Sequence, residues 1–268
     1  MKKVLILITF VIILPSGLIA QQQISPETIR ITQRSVCAIK IVDKGGEVIS
    51  MGCGVVLASK VKQKNEFFVA TAFHVLSELF SAEGTTVSVI IFDKNGQAFR
   101  MDSITKKHMM WANSSMDAAL LALPRKFIPV SKLPDSYKFP GFTNLQLIGE
   151  PDWGQDIYLF GYRWIDENTF IDVLKKGILS VGTTNLPGYE GNLVYLIDNM
   201  ANKGMSGGLA FSADGVGIGI ISSYVYESDN SLQNSDDLTV CLPLTLFFKA
   251  LGNIVIMEEE KLLNVLSQ

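Results

Sequence analysis

What most limits the fold of this chain is how turn signals cut its apolar residues into short runs. "SVCAIKIV" and "VISMGCGVVLA" are separated by "DKGGE", and "TVSVIIF" and "QAFRMDS" by "DKNG". Asn95-Gly96 is a strong hairpin signal, because both residues tolerate positive φ. Further runs of strand length are "EFFVATA", "DAALLAL", "DIYLFGY", "LVYLID", "GLAFS", "VGIGIISSY" and "LTVCL", and "SADG" (Ser212 to Gly215) makes another turn between apolar runs. Regularly spaced short strands predict a closed or sandwiched all-β architecture. From Leu244 on the alternation is lost, and the closing "EEEKLLNVLSQ" suits a surface helix. There is no repeat of fixed period, no βαβ alternation and no dinucleotide-binding fingerprint.

Pro124, Pro129, Pro134 and Pro140 cluster before Glu150. Proline is unfavourable inside a sheet and stiffens a connection, so the simplest reading is two similar-sized β units joined there. With 268 residues, 48% of them hydrophobic, the chain can bury a large core. The formal net charge of −3 and the absence of a Lys/Arg-rich run argue against a nucleic-acid partner. At the N-terminus "MKK" precedes "VLILITFVIIL", the breaker "PSG", and "LIA" followed by "QQQ". That order is the one a secretory signal peptide shows, with cleavage expected after Ala20, and it predicts a periplasmic or extracellular protein. An uncleaved segment is the alternative, and the only route to a membrane association.

The three cysteines, Cys37, Cys53 and Cys241, would then sit in an oxidising compartment. If Lys44 to Gly46 form the hairpin loop, Cys37 and Cys53 face each other across the ladder. A strained disulfide there and three buried free thiols are both open at this point. Two distant histidines and scattered cysteines lack metal-ligand spacing, so neither metal nor cofactor is expected.

The stretch "NKGMSGGLAF" places Ser206 between Gly204 and the pair Gly207, Gly208. Glycine costs backbone entropy, so this is either a tight turn or a nucleophile approached closely by a substrate carbonyl. A serine hydroxyl needs a base. His74, in "FFVATAFHVLSELF", follows an apolar strand and opens a short helix, whereas His108, in "TKKHMMWAN", reads as surface loop. Asp117 heads the apolar run "DAALLAL", and a carboxylate at the mouth of a buried strand needs a partner. It is preferred over Asp93 and Asp102 as the group that orients His74. "GMSGG" also fits the G-x-S-x-G nucleophile elbow, but there the histidine follows the serine, and no histidine follows His108. Subtilisin-like order needs an earlier aspartate, for which only Asp43, in a glycine-rich turn, stands by. The order His74, Asp117, Ser206 leaves the chymotrypsin arrangement.

With these residues in view the chain resembles the trypsin/chymotrypsin-like serine proteases, in style the bacterial HtrA-type and glutamyl-endopeptidase-like members. "GCGVVLAS…FFVATAFHV", "DAALLAL" and "KGMSGGLAF" are similar to that family's histidine, aspartate and serine segments. "DIYLFGYRW", "KKGILSVG" and the stretch from "VGIGIISSY" to "LFFKAL" resemble later strands and the closing helix. The resemblance implies two six-stranded-type antiparallel β-barrels with a C-terminal helix and a cleft between them. The expected division is a leader at 1–20, a first barrel at 27–130, a connection at 131–150, a second barrel at 151–253 and a helical tail at 254–268. It implies an exported endopeptidase acting on protein or peptide substrates through an acyl-enzyme. Ser206 would be nucleophile, His74 base and Asp117 its orienter, and the N–H groups of Gly204 and Ser206 would form the oxyanion hole. Met200, Ala201, Ser222 and Ser223 are expected at the primary pocket, with no carboxylate to favour Lys or Arg. Tyr189 and Tyr224 are alternatives for shaping it. The residues after Ser206 are expected to be used up in the second barrel and a short tail, leaving no PDZ module; the oligomeric state is not readable.

Two positions depart from the family pattern. Phe73 stands where a small residue precedes the histidine, a ring that would crowd the imidazole or close part of the cleft. Met205 replaces the aspartate that in digestive relatives receives a new N-terminal ammonium. The alternative function is a pseudoprotease whose cleft binds peptide or protein without cutting it.

Overall fold

The computed structural model describes residues 24–61, 64–81, 83–93, 95–124, 151–183, 186–189, 191–224 and 238–254. The expected leader (1–20), the connection (131–150) and all but the first residue of the tail (254–268) lie outside the described residues.

The first described element is a helix, α1 (Pro26–Ser35), which the strand pattern did not foretell. Its local grammar is complete. Ser25 Oγ accepts from Thr28 N at 3.0 Å, Pro26 opens the helix, Glu27 lies in the first turn and Arg34 in the last. The Tyr162 hydroxyl donates to Gln33 O (3.1 Å) and Val36 O (3.2 Å), which ties the end of α1 to the C-terminal half of the chain.

An antiparallel sheet follows. Its strands are β1 (Val36–Val42), β2 (Val48–Val61), β3 (Lys64–Ala72), β4 (Thr86–Phe92), β5 (Ala98–Ile104), β6 (Met109–Asn113) and β7 (Ala118–Leu123), in spatial order β5-β4-β1-β2-β3-β7-β6. Two short helices, α2 (Phe73–Leu76) and α3 (Glu78–Ser81), leave β3. The edge strands supply Met101, Ile104 and Met109 to one core with Cys37, Ile39, Val69 and Leu121, so the sheet curls around its own interior. Expected as a six-stranded barrel, this unit is a seven-stranded curled sheet. The second unit is a closed six-stranded barrel of β8 (Asp156–Trp164), β9 (Phe170–Thr183), β10 (Val194–Asp198), β11 (Leu209–Ser212), β12 (Gly217–Tyr224) and β13 (Leu238–Pro243), followed by helix α4 (244–254).

The apolar runs have a simple cause. On β1, Cys37, Ile39 and Ile41 face the sheet interior, while Val36 and Ala38 join Tyr158, Phe160, Leu209 and Phe211 in a core shared by the two units. Strands buried on both faces read as continuous rather than alternating hydrophobic sequence. Trp111 of β6 meets Phe247 of α4 edge-on at 6.2 Å, so the helix seals the far end of the same core.

Register also settles the cysteines. Near the β1–β2 turn Val42 pairs Val48, but one residue further Ile41 pairs Ser50, so Ile49 is an extra residue in β2. The bulge moves the partner of Cys37 from Cys53 to Gly54. Because faces alternate along a strand, that single step sends Cys53 to the face opposite Cys37. All three cysteines are free and buried.

Candidate active site

His74 and Asp117 meet because β3 and β7 pair. The ladder ends with Ala72 opposite Ala118, which leaves the residues just beyond on one edge. Phe73 N donates to Asp117 O at 2.9 Å, extending the pairing by one bond. Asp117 reaches this place at φ 49°, in the left-handed region that aspartate tolerates better than most residues. The preceding turn is braced by Asn113 Oδ1, which accepts from Ser115 Oγ (2.8 Å) and Met116 N (3.1 Å).

The Asp117 carboxylate is well supplied with donors. Oδ1 accepts the His74 peptide N–H at 2.9 Å, one of the orphan donors at the start of α2. His74 Nδ1 lies 3.1 Å from Oδ1 and 2.9 Å from Oδ2. A neutral imidazole that donates from Nδ1 carries its lone pair on Nε2, the form a general base needs. The His74 side chain is 49% exposed against 16% for Asp117, so the carboxylate is sheltered while the ring opens outward.

Ser222 Oγ donates to Asp117 Oδ2 from the second unit. With its proton committed there, Ser222 accepts from the Tyr189 hydroxyl at 2.7 Å, and Ser223 Oγ stands 3.0 Å from the same hydroxyl. The result is a relay of hydroxyls ending on the carboxylate. Burial raises the Tyr189 phenol above its ordinary range; the bonds from Ser222 and Ser223 oppose this and the Asp117 charge adds to it, so the phenol stays protonated as a donor. Sequence reading placed Ser222 and Ser223 only at a pocket wall. A hydroxyl-bearing pair on a buried strand was the signal for this second duty, since a buried hydroxyl needs a partner.

Ser206 sits in a loop fastened at nearly every residue. Met205 N donates to Asn202 O (3.0 Å), Gly208 N to Met205 O (2.8 Å), Gly207 N to Ile221 O (2.6 Å) and Cys53 N to Ser206 O (2.7 Å). Gly204 and Gly207 have φ of +93° and +86°. A Cβ on Gly207 would lie 1.8 Å from Cys53 O and 2.4 Å from Thr71 Oγ1, so only hydrogen fits where β2 passes beneath the loop. Among the described residues the N–H groups of Gly204 and Ser206 have no protein acceptor, while Met205 between them has one. Met205 itself is buried with Ile157, Leu159 and Ala210, an apolar plug inside the barrel.

Gly52 joins the two halves of the site. A Cβ there would come within 2.7 Å of Val75 Cγ2, one residue after His74, and 3.0 Å from Ser206 O. The Ser206 hydroxyl makes no hydrogen bond to the imidazole; unliganded sites often show this bond long, to tighten when substrate binds. Phe73 packs on the first core and on Phe80, with ring centroids 5.6 Å apart. Cys53, wholly buried beneath the serine loop, donates from Sγ to Gly204 O at 3.2 Å and accepts from Tyr162 N at 3.1 Å. Burial pushes its thiol up to about 12, against the opposing hydrogen bond to Tyr162, so it acts as a neutral donor. Met200 is exposed, with its carbonyl taken by Lys175 Nζ, whereas Ala201 is buried in the barrel interior with its N–H on Thr239 Oγ1 at 2.7 Å. His108 Nδ1 accepts from Thr105 N at 3.1 Å and so caps the turn that leads into β6. Among the described residues no cluster of His, Cys, Asp and Glu is placed to hold a metal ion.

The architecture defines a class. The chain is similar to Deg5, at 16% identity and a TM-score of 0.59, over 83% of this chain and 90% of that one. It is similar to the HtrA-type protease AlgW with tripeptide (16%, TM-score 0.57, 85% of this chain and 62% of that one). A third likeness is the serine endoprotease from Yersinia pestis (15%, TM-score 0.55, 85% and 65%). The chain spans less than two thirds of the latter two proteins. No curated protein sequence matches it. The family described as "Trypsin-like peptidase domain" matches residues 52–220, a span that takes in His74, Asp117 and Ser206. The chain belongs to that family, the trypsin-like peptidases.

Proposed function

We propose that the chain is an exported endopeptidase that works through an acyl-enzyme, with Ser206 as nucleophile, His74 as general base and Asp117 as its orienting carboxylate. Ser206 Oγ attacks the scissile carbonyl carbon as His74 Nε2 takes its proton, and the oxyanion that forms is received by the N–H groups of Gly204 and Ser206. Collapse breaks the C–N bond, with the proton passing from Nε2 to the leaving amine. Water, deprotonated by the same imidazole, then releases the acyl group. Asp117 keeps the Nδ1 proton in place and stabilises the imidazolium. The observation that carries this reading is the contact between His74 Nδ1 and Asp117, which leaves Nε2 without a hydrogen-bond partner among the described residues.

A fluorophosphonate probe tests it directly. The purified chain should be labelled, and Ser206→Ala should lose both labelling and peptide cleavage, the latter by roughly 10⁶-fold. Equal labelling of the two proteins removes the assignment. Because the base must be neutral, cleavage should fall on acidification. The unmade bond between Ser206 and His74 favours a second reading, a peptide-binding module without turnover. A peptide-library digest separates the two: cleavage at a definable motif supports the enzyme, stable capture without cleavage the module. Export is read from "MKK" and the apolar run after it. The mass of the protein recovered outside the cytoplasm tests it, and retention of residues 1–20 in a cytoplasmic product would refute it.

A further inference from the structure

Beside Gly204 lies an open cleft of about 560 Å³. Its walls include Ile49 and Met51 of β2, Arg163 and Trp164 of β8, and Lys203 and Gly204 of the serine loop. Trp164 Nε1 donates to Gly52 O at 3.4 Å, the glycine that touches both Ser206 and Val75. Ser50 Oγ, also in the wall, donates to Val75 O at 3.2 Å. The cleft therefore shares its floor with the backbone on either side of the proposed reaction.

We propose that this cleft receives the leaving-group half of the substrate and that Arg163 and Lys203 make it select an acidic side chain; this rests on the serine endopeptidase reading above. In that reading the acyl half lies along β12, on the side where Ser222 meets Asp117. A chain crossing Ser206 from that flank continues over Gly204 into the cleft. The charges there are distinctive for a protein of net charge −3. Nearby cations are engaged: Lys40 Nζ donates to Glu167 O (3.1 Å), Lys175 Nζ to Met200 O, and Lys176 Nζ pairs with Asp156 Oδ2 (2.8 Å). Arg163 and Lys203 make no ion pair or side-chain hydrogen bond among the described residues, and both are exposed. Ile49 and Met51 are 41% and 37% exposed on the same wall. A carboxylate entering here meets two unpaired cations over an apolar rim, where charge attraction exceeds its value in open water.

The test compares two quenched fluorescent peptides that differ only in Asp or Asn on the leaving-group side. The expected result is a kcat/KM ratio favouring Asp by roughly five- to tenfold at low salt, the scale of two exposed ion pairs. The ratio should fall toward one at about 0.5 M salt and in the Arg163→Ala/Lys203→Ala chain. No preference in the unmodified chain, a preference untouched by the double substitution, or an acid preference confined to the acyl side would each overturn the proposal. Trp164 supplies a readout that needs no turnover. Titrating Ser206→Ala protein with the Asp and Asn leaving-group peptides should change its fluorescence at lower concentration for Asp, and Trp164→Phe should remove the signal. If no peptide is cut and Ser206 is unlabelled, yet Asp peptide still binds through Arg163 and Lys203, hydrolysis fails and the acidic subsite stands. If Asp and Asn peptides bind alike, the subsite fails whatever the fate of the serine.

Discussion

In the N-terminal sheet His74 and Asp117 are brought together by strand register, whereas in the C-terminal barrel Ser206 is presented by a loop whose path depends on what glycine omits. The first device is redundant: β3 and β7 pair from Phe67–Leu123 to Ala72–Ala118, so no single contact decides where His74 ends up. The second is tight, because Cys53 O, Phe160 O and Ile221 O crowd three sides of Gly207 and Gly208. The acid–base pair should therefore tolerate side-chain changes structurally and fail chemically, while the serine loop should fail structurally first.

Among substitutions that leave the serine in place, the largest expected effect lies on the register side. Asp117→Asn preserves the shape and the Phe73 bond to Asp117 O, but an amide that presents its NH₂ to Nδ1 favours the wrong tautomer. Activity should fall roughly 10⁴-fold with the melting temperature nearly unchanged. Retained turnover would show that another carboxylate holds the ring. Gly207→Ala attacks the other side. A left-handed alanine costs about 1–2 kcal/mol, and overpacking against Cys53 O adds about 1–3 kcal/mol. Denaturant unfolding should show a total loss of about 2–5 kcal/mol.

The same contrast explains what could be read in advance. Strands carrying "EFFVATA" and "DAALLAL" were legible because apolar length and turn signals are local, and the order of His74, Asp117 and Ser206 is a property of the chain itself. The hairpins at Asn95-Gly96 and "SADG" were legible for the same reason; Gly96 has φ +79° and Gly215 has φ +86°. What escaped is non-local. The bulge at Ile49 leaves no mark in composition, yet it decides which face Cys53 takes and so removes any bridge to Cys37. The bond from Ser222 to Asp117 spans two units, and no spacing rule connects positions so distant. Helix α1 was legible in principle, since Ser25 and Pro26 form a start signal, but the absence of an apolar stripe hid it among strands.

Ser222→Ala sits where the two devices meet, since a barrel hydroxyl steadies a carboxylate set by the sheet. A hydrogen bond to a charged group contributes about 1.5–3 kcal/mol, so kcat should fall roughly 10- to 100-fold with KM moved less. Tyr189→Phe removes only the outer donor and should cost less still. If Ser222→Ala changes KM alone, the hydroxyl serves the substrate pocket and not Asp117, and the boundary between the two devices must be redrawn.

The smallest effect calibrates the comparison. Gly96 in the β4–β5 turn has φ +79°, close to that of Gly207, but a Cβ on it would meet nothing within 4 Å. Gly96→Ala therefore isolates the price of left-handed backbone, about 1–2 kcal/mol, read as a lower denaturation midpoint at constant slope. Activity should be unchanged, since the turn lies on the far strands of the sheet. The difference between the two alanine substitutions, about 1–3 kcal/mol, is then the cost of pressing a methyl group into Cys53 O. If the two variants lose the same stability, the loop yields to its neighbours, and the tight packing assigned to the serine side carries no more constraint than an ordinary hairpin.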